Sequence, residues 1–367
     1  MNVYPYSETL TYEDPCHRLK WRNLAHLFPE FDIYFLPEYS YLFELNGDGK
    51  AHCFVYYQSE KEVVIYPFLK RQINKMPDFS DLPENLFDIT SPYGYGGYLR
   101  NSDNIDISKF YAVFMDYCRQ NDIISEFVRF HPLLKNHAYC PKQVNLVNWN
   151  ETVFINLMVD SERLFQNFNQ KKRNRIRKAQ KLGIKIIEDT EINHLQTFYD
   201  IYTQNMEYVA AKEYFTFSKE WFEKMIDLFK SKITLFHAIL ESKIIASGIF
   251  IWHENFLQYK FSGISVGTRH LPANCLLIYE VALWAKKRGI KYFHLGGGLT
   301  KNDDLFKFKS HFSNERGQYF LGTVIHNQEI YRYLEMKAAE RKPVQSLNTN
   351  FFPAYRAPGK SGGSWTR

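Results

Sequence analysis

Two lysines of this chain stand among aromatic residues, where an ammonium group is costly to place. In "HLGGGLTKNDDLFKFKSHF", residues 294–312, Lys309 belongs to an L-x-x-F-K-x-x-F arrangement made by Leu305, Phe308, Lys309 and Phe312. A helix over 303–313 would put Leu305, Phe308 and Phe312 on one face, with Lys309 roughly 40° beyond Leu305. A lysine beside such a stripe costs free energy unless its head reaches water, a carboxylate or a substrate. Burial would lower its pKa, and an anionic neighbour would restore its charge. Pairing with Asp303 or Asp304 is the ordinary alternative.

The second lysine lies in "SERLFQNFNQKKRNRIRKAQKLG", residues 161–183, where six of the eight residues from Lys171 to Lys178 are basic. The spacing predicts one long amphipathic helix with Ser161 as N-cap and Gly183 as its C-terminal stop. Phe165, Phe168, Ile176 and Ala179 then share an arc of roughly 80° with Lys172 near its middle. Lys172 either snorkels from the core edge or, with Arg173 and Arg175, meets an anionic substrate group.

The glycine run does not match a phosphate loop. "GGGLTKND" lacks G-x-x-x-x-G-K-[ST], and the "GKS" of the tail has Ala354 where the first loop glycine belongs. Gly296, Gly297 and Gly298 instead suit a sharp turn at a strand end or close backbone approach to a ligand. Tyr93, Tyr95 and Tyr98, interleaved with Gly94, Gly96 and Gly97, either form a sugar- or peptide-binding wall or cover a half-buried strand. Tyr259 and Ser262 are candidates to face a cleft. No nucleophile motif such as G-x-S-x-G occurs, which fits direct transfer without a covalent enzyme intermediate. Asp303, Asp304 and His294 read as turn or packing residues rather than a general base. No H-x-x-x-H or H-E-x-x-H spacing occurs, so no metal is expected.

The elements that must hold these residues follow from pattern. At 367 residues the chain exceeds one ordinary core, so two domains are expected. The first reads as strands and hairpins ("YSYLFEL", turn "NGDGK", "AHCFVYYQ", "KEVVIYPFLKR"), then a helix around 106–120 and the strand "SEFVRF". The second continues with "IKIIE", two helices, three antiparallel strands ("ITLFHAIL", "IIASGIFIW", "FLQYKFSGIS"), the helix "PANCLLIYEVALWAKKRG" and the strand "KYFHLGG". This is a mixed-sheet α/β layout, not a Rossmann domain. The expected boundaries are 1–148, 149–345 and a flexible tail at 346–367. Aromatic content is high at 17% and the net charge is +6, concentrated enough to favour a local anionic ligand over a DNA-coating protein. Five scattered cysteines suggest no disulfide framework and a reducing compartment. The N-terminus lacks a leader pattern and no apolar run is long enough to span a bilayer. A cytoplasmic location is expected, with peripheral contact to a membrane surface left open.

Taken together, these stretches resemble the FemABX family of peptidoglycan-bridge aminoacyltransferases and the related BioF2-like acyltransferases of the GNAT superfamily. The likeness rests on the basic helix "KKRNRIRKAQKLG", on "LQYKFSGISVGTRHLPANCLLIYEVALWAKKRGIKYFHLGGG", on Leu305, Phe308, Lys309 and Phe312 in order, and on "SPYGYGGYL". It covers residues 150–320 well and the earlier part loosely. The resemblance implies two GNAT-like domains in tandem with substrate in a cleft between them. It implies transfer of an acyl or aminoacyl group to an amine of a cell-envelope precursor, either a peptidoglycan peptide or an amino sugar of a surface polysaccharide, sugar- or lipid-linked. The donor would be aminoacyl-tRNA, as in the Fem branch, or acyl-CoA, with no tightly bound cofactor. Lys309 and Phe308 match the family's catalytic Phe-Lys pair, whose lysine stabilises developing negative charge. The long charged helical hairpin of some members is missing, because Ser161 to Gly183 reads as a single helix. A contrasting expectation is a non-catalytic basic module that docks RNA or anionic lipid headgroups.

Overall fold

A computed structural model describes residues 3–83, 85–209, 211, 213–341 and 351–357. The described chain divides into two units: unit 1 is drawn from Met1–Trp149 and Gln318–Arg367, and unit 2 is Asn150–Gly317.

Unit 1 opens with β1 (Tyr6–Thr11), α1 (Pro15–Ala25) and α2 (Pro37–Leu45), followed by β2 (Lys50–Tyr57), β3 (Val63–Gln72), β4 (Phe87–Thr90) and β5 (Leu99–Arg100). Then come α3 (Ile107–Gln120) and β6 (Ile123–Arg129). β1, β2, β3 and β4 pair antiparallel in succession, and β4 pairs parallel with β6. The parallel step needs a crossover, which α3 supplies. Its Asp106 cap accepts from Ser108 N and Lys109 N, and it buries Phe110, Tyr111, Phe114 and Cys118 at helical spacing.

The stretch "YSYLFEL", expected as a strand, is helix α2. Pro37 starts it, and Tyr39, Leu42 and Phe43 are buried on one side, so a three-to-four spacing prevails over the aromatic β-propensity. The Asn46-Gly47 turn therefore joins a helix to β2.

Unit 2 begins within β7 (Asn145–Asn156) and continues through α4 (Ser161–Gln166), α5 (Gln170–Lys181), β8 (Lys185–Asp189), α6 (Leu195–Tyr208) and α7 (Lys219–Phe229). It is completed by β9 (Ile233–Leu240), β10 (Lys243–His253), β11 (Phe256–Ile264), α8 (Ala273–Lys287), β12 (Tyr292–Gly296) and α9 (Asp304–Ser310). β8, β9, β10 and β11 pair antiparallel in turn, β11 pairs parallel with β12, and β12 pairs antiparallel with β7. This is the order of unit 1 repeated: four antiparallel strands, a crossover helix, a parallel strand. The mixed α/β class and the tandem arrangement are thus both present.

β13 (Arg316–Ile325) runs antiparallel to β6, and α10 (Gln328–Arg341) follows it. Tyr331, Leu334 and Ala338 of α10 pack with Ile73, Phe79, Leu86 and Ile124 of unit 1. The sequence pattern predicts a second unit that runs to residue 345. It stops at Gly317 instead, because β13 and α10 bury their apolar side chains in the first unit's core.

The expected tail divides as well: 346–350 and 358–367 lie outside the described residues, whereas 351–357 is packed. Tyr355 is fully buried and donates to Asp88 at 3.0 Å. Asp88 also accepts from Arg71 Nε and Arg356 Nε. Burial alone would raise the Asp88 pKa, but Arg356 and Arg71 outweigh it and hold the carboxyl below its ordinary value. Asp88→Asn leaves two guanidinium groups without a counter-charge and is expected to cost about 3–5 kcal/mol, measured by urea denaturation. A carboxyl depressed in the folded state stabilises above its unfolded pKa of about 4 and loses that contribution as pH falls. The wild-type advantage over Asp88→Asn therefore shrinks in acid.

Candidate active site

The basic segment is two helices rather than one. α4 ends at Gln166 and α5 starts at Gln170. Asp160, not Ser161, caps the first by accepting from Arg163 N at 2.8 Å. Asn169 caps the second by accepting from Lys171 N at 2.8 Å. An Asn in the middle of the pattern competes for backbone N–H groups, so the helix breaks there. Arg173 braces the break, donating through Nη1 to Gln166 O at 2.5 Å and Phe168 O at 2.9 Å. Its charge is thus spent on helix-end carbonyls, and Arg175 is exposed. Lys172, Ile176 and Ala179 are the buried residues of α5, as the arc required. Gly183, at φ +76, follows the last turn as expected.

The three glycines each do something different. Gly296 ends β12 in the left-handed region, at φ +77, and turns the chain. Gly297 passes so close to β7 that a Cβ on it would lie 3.0 Å from Glu151 O. Gly298 makes room for Asp303, whose Oδ1 would be 2.1 Å from a Cβ there. Asp303 Oδ2 accepts from Leu299 N (2.6 Å) and Thr300 N (2.9 Å), and Oδ1 accepts from Phe306 N (2.8 Å). One carboxylate therefore folds the glycine turn and caps α9. Burial would raise the Asp303 pKa, but these N–H groups and Lys309 outweigh it and keep it below its ordinary value.

α9 covers only Asp304–Ser310, shorter than the expected 303–313. Leu305 consequently faces solvent, at 44% exposure, while Phe306 is buried. With the helix ending before Phe312, the apolar face passes from Leu305 to Phe306 and Lys309.

Both lysines are buried. Lys309 is 9% exposed, and its Nζ donates to Gly297 O at 2.7 Å. Burial pulls its pKa down to about 8 while Asp303 opposes the shift. Lys172 is 5% exposed, with Nζ 3.6 Å from the Phe308 ring centroid and 4.5 Å from that of Phe312. Its Nζ is 4.0 Å from Cys275 Sγ, near the start of α8. Burial also lowers Lys172 to about 8; Cys275 opposes this, and Arg175 and Lys171 add to it. Neither lysine has a carboxylate within salt-bridge distance among the described residues. Phe308 is half-buried and meets Phe312 edge-on, with centroids 5.3 Å apart.

Tyr259 and Ser262 bond each other, Oη to Oγ at 2.5 Å, and Tyr259 stacks on Phe250. Burial raises Tyr259 to about 12, with the Ser262 hydrogen bond pulling back. His294 is buried against Gln258 Oε1 at 3.0 Å, and exposed Asp304 pairs with Lys307. Both are the packing and turn residues expected, as is Asp303. Tyr93 and Tyr95 belong to unit 1.

Sequence spacing missed a second cluster in unit 2. Asp189, His194 and His237 bring one potential ligand atom each to within 4.8 Å of one another, the geometry from which a metal could be held. Here they form a hydrogen-bonded set. Asp189 Oδ2 accepts from His194 N (2.9 Å), His194 Nδ1 (3.0 Å) and His237 Nε2 (3.3 Å), and Ser247 Oγ sits 3.0 Å from His237 Nδ1. Also missed were the organising role of Asp303, legible only as an Asp three residues before Phe306, and the place of Cys275, for which no local signal exists.

Residues 166–310 match the family described as Acetyltransferase (GNAT) domain, a span that lies within unit 2. No curated protein matches the chain in sequence. Among solved structures, the crystal structure of FemX shares 14% identity over 89% of this chain and 99% of its own, with a TM-score of 0.66. The C-terminal domain of a putative lysylphosphatidylglycerol synthetase from Agrobacterium fabrum shares 11% over 89% and 97%, at 0.51. L-PGS from Bacillus licheniformis shares 13% over 85% and 92%, at 0.52. The match to a GNAT acetyltransferase domain thus falls on unit 2. As a whole the chain has the fold of FemX, and the FemABX-like resemblance holds at that level.

Gly298→Ala is expected to displace the Asp303 carboxylate and cost about 0.5–2 kcal/mol, the worth of a helix cap. Asp303→Ala should cost the same, and the double variant no more than the worse single, by thermal denaturation. Lys309→Met should be most stabilising near neutral pH. Between about 8 and 10.4 the unfolded lysine holds a proton that the folded one has released, so wild-type stability gains on the variant as pH rises.

Proposed function

We propose that the chain transfers an acyl or aminoacyl group directly to an amine of a cell-envelope precursor, with Lys309 supplying positive charge beside the reacting carbonyl. The observation that carries this reading is a buried ammonium that spends one N–H on Gly297 O. Its other two N–H groups have no acceptor among the described residues. A neutral amine attacks the ester or thioester carbonyl, its electrons move onto oxygen, and a donor already in place offsets that charge without reorganisation. The tetrahedral species collapses by expelling the alcohol or thiol, and the amine proton leaves with it or with solvent. No enzyme nucleophile is needed.

Asp303 keeps Lys309 nearer its charged form than burial alone would. Lys172 is a second cation without a carboxylate partner, suited to an anionic part of either substrate, and Phe308 supports it through its ring face. Arg175, exposed beside it, can extend that contact, whereas Arg173 serves it only by holding the α4–α5 break. Gly296, Gly297 and Gly298 shape the floor under Lys309. Tyr259 contributes its ring, since its hydroxyl is engaged with Ser262.

The donor in this reading is aminoacyl-tRNA or acyl-CoA. Two structures that share the fold are named as lysylphosphatidylglycerol synthetases or L-PGS, which supports an aminoacyl donor and an envelope acceptor, peptide, amino sugar or lipid. No helix among the described residues is long and apolar enough to cross a membrane, so an acceptor in a bilayer would be met from its surface. The exposed cations of α5, Lys171, Arg175, Arg177, Lys178 and Lys181, favour a second reading, a module that docks RNA or anionic headgroups without chemistry. Mass spectrometry of amino-sugar and lipid-linked precursors, incubated with aminoacyl-tRNA or with acyl-CoA, separates the two. A mass gain from one pool identifies the donor; salt-sensitive RNA binding with no gain from either supports the module.

Lys309→Ala is expected to lower kcat about 100- to 1,000-fold with little change in KM. Rate should fall as pH rises through about 8, where Lys309 loses its proton, and Lys309→Arg should remove that alkaline limb, since a guanidinium stays charged. Unchanged turnover in Lys309→Ala rejects the assignment.

A further inference from the structure

Unit 1 buries another uncompensated cation. Arg129, the last residue of β6, is 6% exposed. Its Nη1 donates to Thr90 Oγ1 at 3.1 Å and to Ser91 O at 3.0 Å, which accounts for both hydrogens on that nitrogen. The guanidinium carbon sits 4.6 Å from the Phe127 ring centroid. The Nε–Nη2 edge, three N–H groups in the fork that matches an oxyanion, has no acceptor among the described residues. The contrast within the same unit is informative. Arg71 and Arg356 are both paired with the carboxylate of Asp88, whereas Arg129 has no carboxylate within 4.0 Å among the described residues. A buried guanidinium without a counter-charge is costly.

Tyrosines lie near it. Tyr93, Tyr95 and Tyr319 are half-buried, and Tyr319 meets Tyr95 edge-on with centroids 5.3 Å apart. Burial pushes Tyr319 up to about 12, with Arg129 pulling it back and Tyr93 pushing further, and Tyr93 senses Arg129 in the same sense. The phenols of Tyr93 and Tyr319 thus lie within the field of the guanidinium. The Tyr319 hydroxyl has no hydrogen-bond partner among the described residues.

We propose that Arg129 is the anchor of an oxyanion-binding site in unit 1, taking the phosphate or carboxylate of a ligand whose flat or sugar-like body rests on Tyr93, Tyr95 and Tyr319. The Nε–Nη2 edge binds two anion oxygens, and the Tyr319 hydroxyl donates to one. This site deepens the view of Tyr93 and Tyr95 as a binding wall by naming the charge of what they hold. It is independent of Lys309 and of the transfer reaction, because the anion binds whether or not chemistry follows.

Isothermal titration of the full chain with phenyl phosphate, benzoate and neutral benzyl alcohol tests it, and the two anions separate the phosphate and carboxylate sources. At least one anion should bind tenfold or more tightly than benzyl alcohol. Arg129→Lys, which keeps the charge but loses the fork, should weaken that anion about tenfold or more, and Tyr319→Phe by about threefold to tenfold, the range for one hydrogen bond. Lys309→Ala should leave binding unchanged. The same anion should also raise the thermal midpoint of wild type with concentration, as selective binding to the folded chain requires. Equal binding by Arg129→Lys and wild type, or no preference of wild type for either anion over the alcohol, overturns the proposal.

Discussion

The candidate site of unit 2 depends on a lysine held in place by a carbonyl rather than by a carboxylate. A close ion pair would have spent the Lys309 charge. A neutral acceptor, Gly297 O, fixes the direction of the ammonium and leaves most of its field available. Asp303 is near enough to favour the charged form, yet its own oxygens are committed to the N–H groups of Leu299, Thr300 and Phe306. The glycine run is the structural condition for this. A side chain at Gly298 would take the space of the carboxylate that caps the helix carrying Lys309.

The two units share one strand order, and buried charge within them is handled in two ways. In unit 1, Asp88 neutralises Arg71 and Arg356 and in doing so ties residues 351–357 to the sheet. Glu126, fully buried, is likewise satisfied by Tyr66, Tyr111 and His326. In both networks the buried carboxylate is met by donors from several elements, and paired networks of this kind hold a core together. Lys172, Lys309 and Arg129 are open: each is at least nine-tenths buried and lacks a carboxylate partner among the described residues. Open cations of this kind are where a fold gives up stability to keep electrostatic capacity in reserve.

Aromatic rings face two of these cations. Phe308 and Phe312 present ring faces to Lys172, and Phe127 does so for Arg129. A ring face offers attraction without a formal countercharge. This gives the high aromatic content a role beyond filling two cores.

Much of the fold could be read from the chain itself. Period-two and period-three-to-four patterns are local, so β8 to β12, the crossover helices α3 and α8, and the buried Lys172–Ile176–Ala179 face follow from spacing alone. A lysine beside an aromatic stripe at Lys309, and a glycine turn before it, were legible for the same reason. What only the tertiary structure decided were matters of competition and distance. Asn169 breaking the basic helix, Pro37 turning an aromatic run into α2, and α9 ending early enough to expose Leu305 each depend on which of two comparable local preferences the surrounding packing rewards. The return of β13 and α10 to unit 1, the meeting of Lys172 with Cys275 across 103 residues, and the gathering of Asp189 with His237 from separate strands leave no local trace, because such contacts are set by how sheets close and not by neighbours in sequence.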